Sequence, residues 1–491
     1  MTSNRFILGG ALILLCATVA CGTGGGITLP NPQGNFSDAS LQGSYVYQIH
    51  GFDTAGNPYR QVGVFTADGN RNITGGSDDS SSSSVGTAVT GSYSIGKDGT
   101  GVIALNTSEG PIQLAVTLVS SSRLQLIEAD AFANASGTAE LQAPSAISAA
   151  LTGTYVFRLH QELSAQSQAP ASEVGSLTMS GASANGNMDE NLAGVFSSAN
   201  VTATFGPTSG PGRGTGSLVN SSTSFKTNFV YYIVDINKFV FLVTNLNAVG
   251  SGSAELQSGT VSNGLSGNFA FGSRGDSNFF AGVATVGQFN ATSGTMTGTE
   301  DSNVDGNVTT NAGFSSCYTP SASGRVVIND LSGNTCSAGI TQVFWMVSPS
   351  RAFFVNAGSS SVEDGTADLQ QTQNFSPSTF SGQYSIAMDG VDTGAVDGLQ
   401  QLLSRIGTLQ FDGSSKLTLN EVANGSASGV GVQSPGIILG TYSVGSSGRV
   451  TGTLNGGTLQ TIVMYAVSGS QAYVLQTDPS FVTSGLVQLQ Q

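Results

Sequence analysis

Four near-copies of one heptapeptide punctuate this chain: SGTAELQ ending at Gln142, SGSAELQ at Gln257, DGTADLQ at Gln370 and SGLVQLQ at Gln490. The other end of each unit recurs as well, as LQGSYVYQIH from Leu41, LTGTYVFRLH from Leu151, LSGNFAFGSR from Leu265 and FSGQYSIAMD from Phe380. The glycines at 43, 153, 267 and 382 lie 110, 114 and 115 residues apart. Solenoid and propeller repeats run to roughly 20–50 residues. Each unit here is therefore long enough to bury a core of its own.

Within the first unit, eight strand-like runs (43–50, 59–67, 71–75, 87–96, 101–106, 111–119, 123–128 and 136–142) are separated by turn signals, including the hairpin-type ADGN and KDG. Short connections make sequential strands antiparallel neighbours. An even strand number lets the last pair with the first and removes the open edges. GTAELQ then reads as the closing strand, with Ala139 and Leu141 on one face and Thr138, Glu140 and Gln142 on the other. The expected fold class is all-β: four tandem antiparallel domains of about eight strands, over 37–142, 147–257, 261–370 and 376–491. These up-and-down barrels are similar in strand count and turn rhythm to the avidin and lipocalin (calycin) type, with β-sandwiches as the alternative. Only DGLQQLLSRI, around Leu399 to Ile406, has a helical periodicity.

The first 21 residues place Arg5 ahead of an apolar run from Phe6 to Leu15, too short to span a bilayer, and read as an export signal. Thr18-Val19-Ala20-Cys21 resembles a bacterial lipobox, with Thr in place of the usual Leu, and the units resemble the tandem Gly-rich repeats of uncharacterised bacterial surface lipoproteins. That resemblance implies a lipidated Cys21 as the mature N-terminus, binding the membrane through acyl chains. Gly22 in place of Asp then points to the outer membrane or cell surface, and residues 22–36 read as a flexible tether. A net charge of -15 excludes nucleic acid as a partner.

Cys16 leaves with the signal and Cys21 is acylated on this reading, so Cys317 and Cys336 remain to pair as a disulfide in an oxidising envelope. The two histidines, His50 and His160, share a register with Arg274 and Asp389, and alternation puts all four on outward faces, as solvated strand ends. GSYSIGKD and GPGRGTG read as glycine turns rather than phosphate loops, and SRGDS (Ser273 to Ser277) as a turn. In EDSNVDGN, Asp301, Asn303 and Asp305 ahead of Gly306 reproduce the first half of a calcium loop, with Glu300 as a possible extra ligand and Ala312 where the closing Glu is due. Asp78, Asp79, Asp189, Glu190 and Glu421 stand nearby in the other units without that pattern.

These observations lead to a lipid-anchored, non-enzymatic surface protein acting in binding or adhesion, its linked modules contacting envelope proteins or glycans with avidity. The alternative is a small ligand inside a barrel, where Phe229, Tyr231, Phe239 and Phe241 line the space. A glycan-cleaving carboxylate pair comes third.

Overall fold

The computed structural model describes residues 34–107, 110–163, 169–277, 282–333, 335–372, 374–393, 401–425, 432–434 and 436–491. Strand follows strand in up-and-down order, and the chain forms four closed eight-stranded antiparallel barrels. The first strands are Gln42–Asp53, Thr154–Leu163, Gly267–Ser277 and Ser381–Asp392. They pair with the eighth strands, Ala133–Leu141, Ala248–Leu256, Ser361–Leu369 and Phe481–Leu489, in one common register. Tyr45 lies opposite Leu141, Tyr155 opposite Leu256, Phe269 opposite Leu369 and Tyr384 opposite Leu489. The repeated heptapeptide is thus the closing strand of each barrel. Barrels 1 and 4 carry an additional two-residue strand, Thr87–Ala88 and Val432–Gln433, against the third strand.

The helical expectation is corrected where it can be seen. From Gln401 the chain is a strand, Gln401–Asp412, paired with both Ser381–Asp392 and Lys416–Gly425. Closing the fourth barrel requires a second strand here, and two-sided pairing with burial of Leu403 and Ile406 overrides local periodicity. Among the described residues, no helix is long and apolar enough to cross a membrane. In barrel 3 a Cys317–Cys336 disulfide, Cα atoms 5.8 Å apart, joins Asn307–Pro320 to Thr335–Ser348 across Arg325–Ser332.

The barrel interiors are filled. In barrel 2, Phe205, Phe229, Tyr231, Phe239 and Phe241 pack ring against ring with centroids 5.5 to 6.3 Å apart. Glycines make room for such rings: a Cβ on Gly63, Gly175 or Gly287 would meet Tyr47, Phe157 or Phe271 within 3 Å. The space that the sequence reading reserved for a ligand therefore holds the core.

Outward faces matter as much. Val46, Val62 and Val64 of barrel 1 pack on Val230, Tyr232, Val234, Val240 and Leu242 of barrel 2. Val156 and Val174 of barrel 2 meet Val343, Trp345, Val347, Phe353 and Val355 of barrel 3. Ala270, Ala284 and Val286 of barrel 3 meet Val463, Tyr465, Val467, Tyr473 and Leu475 of barrel 4. Ile406 of barrel 4 returns to Ala115 and Ile127 of barrel 1. The four barrels thereby close into a ring, each presenting its first two strands to the sixth and seventh strands of the next. Continuous apolar runs such as FVYYIV in Lys226–Asp235 follow from this: one face fills the barrel and the other covers a neighbour.

The last glutamine of each heptapeptide fastens the ring. Gln142 Nε2 donates to the carbonyls of Pro211 (2.9 Å) and Ile233 (2.7 Å) in barrel 2. Gln257 does the same to Ser323 and Met346, Gln370 to Ser447 and Ala466, and Gln490 to Asp98 and Leu118. A side-chain amide that satisfies two carbonyls of the next barrel needs the same residue at every junction.

Candidate functional site

Where the four barrels meet, their first and eighth strands, with residues of the second and seventh, line an open cavity of about 710 Å³. Outward alternation brings His50, His160, Arg274 and Asp389, one from each barrel, to this cavity. The solvated-surface reading of these four positions is corrected: they do point out of their barrels, but into the centre of the ring. His50 and Arg274 keep side-chain exposures of 26% and 42%, so water reaches the site.

Their chemistry differs from barrel to barrel. Arg274 donates to Asp389 and contacts His50, whose Nε2 lies 3.3 Å from the other Asp389 oxygen. Burial and the Arg274 charge push the His50 imidazole down to about 4. Burial opposes ionisation of Asp389, but Arg274 and His50 outweigh it and hold the carboxyl well below the usual range. His160 faces the opposite balance. Burial alone lowers its pKa, yet the Asp364 hydrogen bond and the charges of Glu162, Asp364 and Asp276 overcome this and raise it. Burial also raises Asp276 to about 6, against the pull of His160, Arg60 and Arg274.

Towards the other end of the cavity the heptapeptides supply Glu140, Glu255 and Asp368. Glu140 accepts from Lys238 at 2.7 Å and Arg123 at 2.8 Å, and Arg351 joins Glu255 to Asp368. Burial raises the Glu140 pKa, but Lys238 and Arg123 prevail and lower it to about 2. Barrel 4 has neutral Gln471 and Gln488 at these places.

Among the described residues, His160 is not arranged as a serine–histidine–acid relay. Ser172 Oγ at 2.9 Å and Asp364 Oδ1 at 3.2 Å both meet Nδ1 of His160, whereas a relay needs the acid and the nucleophile on opposite nitrogens.

The calcium expectation is also corrected. Asp301 is fully buried at the junction of barrels 3 and 4, where Arg449 donates to its two oxygens at 2.8 and 2.6 Å and the Tyr465 hydroxyl at 2.6 Å. Asn303 gives its amide to the carbonyls of Gln476, Asp478 and Phe481 and accepts the Gly306 N–H. Asp305 and Gly306, with φ of 50° and 80°, form the two-residue turn between Thr295–Val304 and Asn307–Pro320. The alternating oxygens thus serve a hairpin and an interface. Among the described residues no group of three His, Cys, Asp or Glu is arranged to hold a metal ion.

The Asp301 arrangement recurs. Asp79 of barrel 1 is held by Arg213 and Tyr232 of barrel 2, and Asp189 of barrel 2 by Arg325 and Trp345 of barrel 3. The sequence signal was present but unread: Gly-Arg at 212–213, 324–325 and 448–449, each with an aromatic on the following strand. Cys21 lies outside the described residues.

No family model matches the chain, and no curated protein matches it. Among solved structures, intact Ap-TbpB (N and C lobes) aligns over 75% of this chain and 84% of its own, at 9% identity and a TM-score of 0.17. A mutant of the vaccine antigen transferrin binding protein B from Haemophilus parasuis Hp5 aligns over 77% and 85%, at 10% identity and 0.17. Isotype 1 transferrin binding protein B from serogroup B Neisseria meningitidis aligns over 75% and 83%, at 7% identity and 0.18. TM-scores this low carry no argument about function. The functional reading rests on the central cavity alone.

Proposed function

We propose that this chain is a lipid-anchored, non-enzymatic protein of the cell envelope, its four barrels acting together as one receptor for a small polar molecule held at the centre of the ring. One observation carries the reading. The Gln142, Gln257, Gln370 and Gln490 contacts that hold the ring together repeat from unit to unit, whereas the cavity-lining positions of His50, His160, Arg274 and Asp389 diverge. Because these four side chains face one cavity, their divergence gives each wall a separate chemistry, as expected of a pocket with a few placed polar groups. Anchoring through Cys21 is supported by the lipobox-like residues 18–21 and the tether that follows.

Two measurements check this. Mass spectrometry of the mature N-terminus should find an acylated Cys21, and Cys21→Ala should release the protein from the membrane fraction. A thermal-shift screen of amines, amino acids, sugars and sugar acids should give a saturable shift that Ser253→Trp, placing an indole in the cavity, abolishes. A shift that survives this substitution sinks the central site.

A further inference from the structure

Two residues beyond the histidine layer, the same position of the four first strands supplies Phe52, Glu162, Asp276 and Val391, and all four line the central cavity. The layer is divided. Adjacent barrels 2 and 3 contribute carboxylates, and adjacent barrels 4 and 1 contribute apolar groups, with Leu402 of barrel 4 also lining the cavity.

The acids are not fully served by the protein. Glu162 is only 6% exposed; its Oε1 accepts from Arg60 at 2.7 Å, while Oε2 is buried with no hydrogen-bond partner within the protein. Among the described residues the Asp276 carboxylate makes no hydrogen bond, and its contact is with His160 Nε2 at 3.9 Å. A buried carboxylate oxygen without a donor is costly. Glu162 Oε2 is such an acceptor, and the Asp276 carboxylate, its side chain 24% exposed, lines the same cavity without a hydrogen bond; together they call for a donor from outside. Charge decides which kind. Glu162, Asp276 and Asp364 surround His160, with Arg60 on Glu162 and Arg158 on Asp364, while Arg274 is drawn to Asp389. The raised pKa of His160 and that of Asp276 both fit a wall that favours positive charge and resists further negative charge. A cavity of about 710 Å³ with an apolar half has room for a carbon skeleton.

We propose that this layer binds a small organic cation, with a primary ammonium group between Glu162 and Asp276 and its carbon body against Phe52, Val391 and Leu402. An ammonium carries three donors and no acceptor, matching a wall of unserved acceptors. This rests on the central cavity being a ligand site.

The test is calorimetric titration of the full mature chain at pH 7.5 with 2-phenylethylamine and agmatine, set against 2-phenylethanol, glucose and glutarate. Saturable amine binding is expected, at least tenfold tighter than that of the matched alcohol. It should weaken at least tenfold in Asp276→Asn, which breaks no hydrogen bond of the fold, and similarly in Glu162→Gln. Affinity should also fall as the pH drops through about 6, where Asp276, facing His160, Glu162, Arg60 and Arg274, takes up a proton. Equal amine affinity in Asp276→Asn, or alcohol, sugar or glutarate binding as tightly as amine, overturns the cation assignment and leaves the cavity reading standing. If none of the probes binds, and the wider thermal-shift screen also gives no shift, both fall.

Discussion

Three junctions of the ring carry a buried aspartate gripped by an arginine and an aromatic donor from the next barrel, and among the described residues the fourth carries none. At the junction of barrels 4 and 1, Val422 stands opposite Ile406 where Asp79, Asp189 and Asp301 stand opposite Val62, Val174 and Val286. Thr100 and Thr117 are paired where Arg213–Tyr232, Arg325–Trp345 and Arg449–Tyr465 are paired elsewhere. The closing junction keeps the Gln490 contact and shares with two others an asparagine: the Asn424 amide reaches the carbonyls of Glu128 and Ala133 as those of Asn191 and Asn303 reach the carbonyls of barrels 3 and 4. A buried ion pair adds little net stability over apolar packing, but leaving one partner alone is costly. The difference therefore acts on pairing choice. A ring that closed one barrel early would bury Asp301 against Thr100 and Thr117, and barrel 4 docked on barrel 2 would leave Arg213 facing Val422. Both wrong closures strand a charge.

The largest effect should come from breaking a lock. Asp189→Ala leaves Arg325 and the buried Trp345 indole without their acceptor and should lower stability by about 3–5 kcal/mol. Ile406→Val at the closing junction should cost only about 0.5–1.5 kcal/mol. Urea unfolding of the two full-length variants compares them, and equal losses would remove the distinction between the junctions.

Next in size is the glutamine that both kinds of junction share. Gln142→Ala takes the amide donor from the Pro211 and Ile233 carbonyls, and Gln490→Ala takes it from those of Leu118 and Asp98, the latter keeping Gln383 as a donor; each should cost about 1–3 kcal/mol. A loss confined to Gln490 would show that the locks make the other copies redundant.

Smaller, but sharper, is the contrast between the two histidines at equivalent positions. In an NMR titration His50 should stay neutral down to about pH 4, and His160 should hold its proton above its ordinary value near 6.5. The signs follow. The depressed His50 contributes stability that is present above about 6.5 and lost as pH falls towards 4, and the raised His160 contributes stability present below about 6.5 and lost as pH rises through its folded value. Titration of both rings at one common pH would contradict the asymmetric cavity.

The smallest expected effect is none: millimolar calcium should leave the melting temperature unchanged, because Arg449 and Tyr465 already occupy Asp301. A calcium-dependent rise that Asp301→Ala abolishes would restore the metal reading.

Much of the fold was legible. In the first unit the expected runs fall on Gln42–Asp53, Pro58–Asp68, Asn72–Ser80, Thr90–Ile95, Thr100–Thr107, Gly110–Ser120, Arg123–Glu128 and Ala133–Leu141. Period-2 alternation and glycine turns are local signals, and local signals suffice for strands. The site was not legible. Outward residues such as His50 alternate in the same way whether they face water or another barrel. Nor does the oxygen spacing of Asp301, Asn303 and Asp305 reveal that arginine, tyrosine and carbonyls from 148 or more residues further on satisfy it.

By itself, the sequence determined four all-β units of about eight antiparallel strands, with barrels as the expected form and sandwiches as the alternative, because the repeat length, the even strand count and the alternation are properties of each unit alone. Only the tertiary structure decided that the barrels form a ring and that their divergent outward positions converge on one cavity. The physical reason is that a barrel's interior is specified by its own alternating residues, whereas the use of its outer face depends on a complementary surface that the chain places more than a hundred residues away.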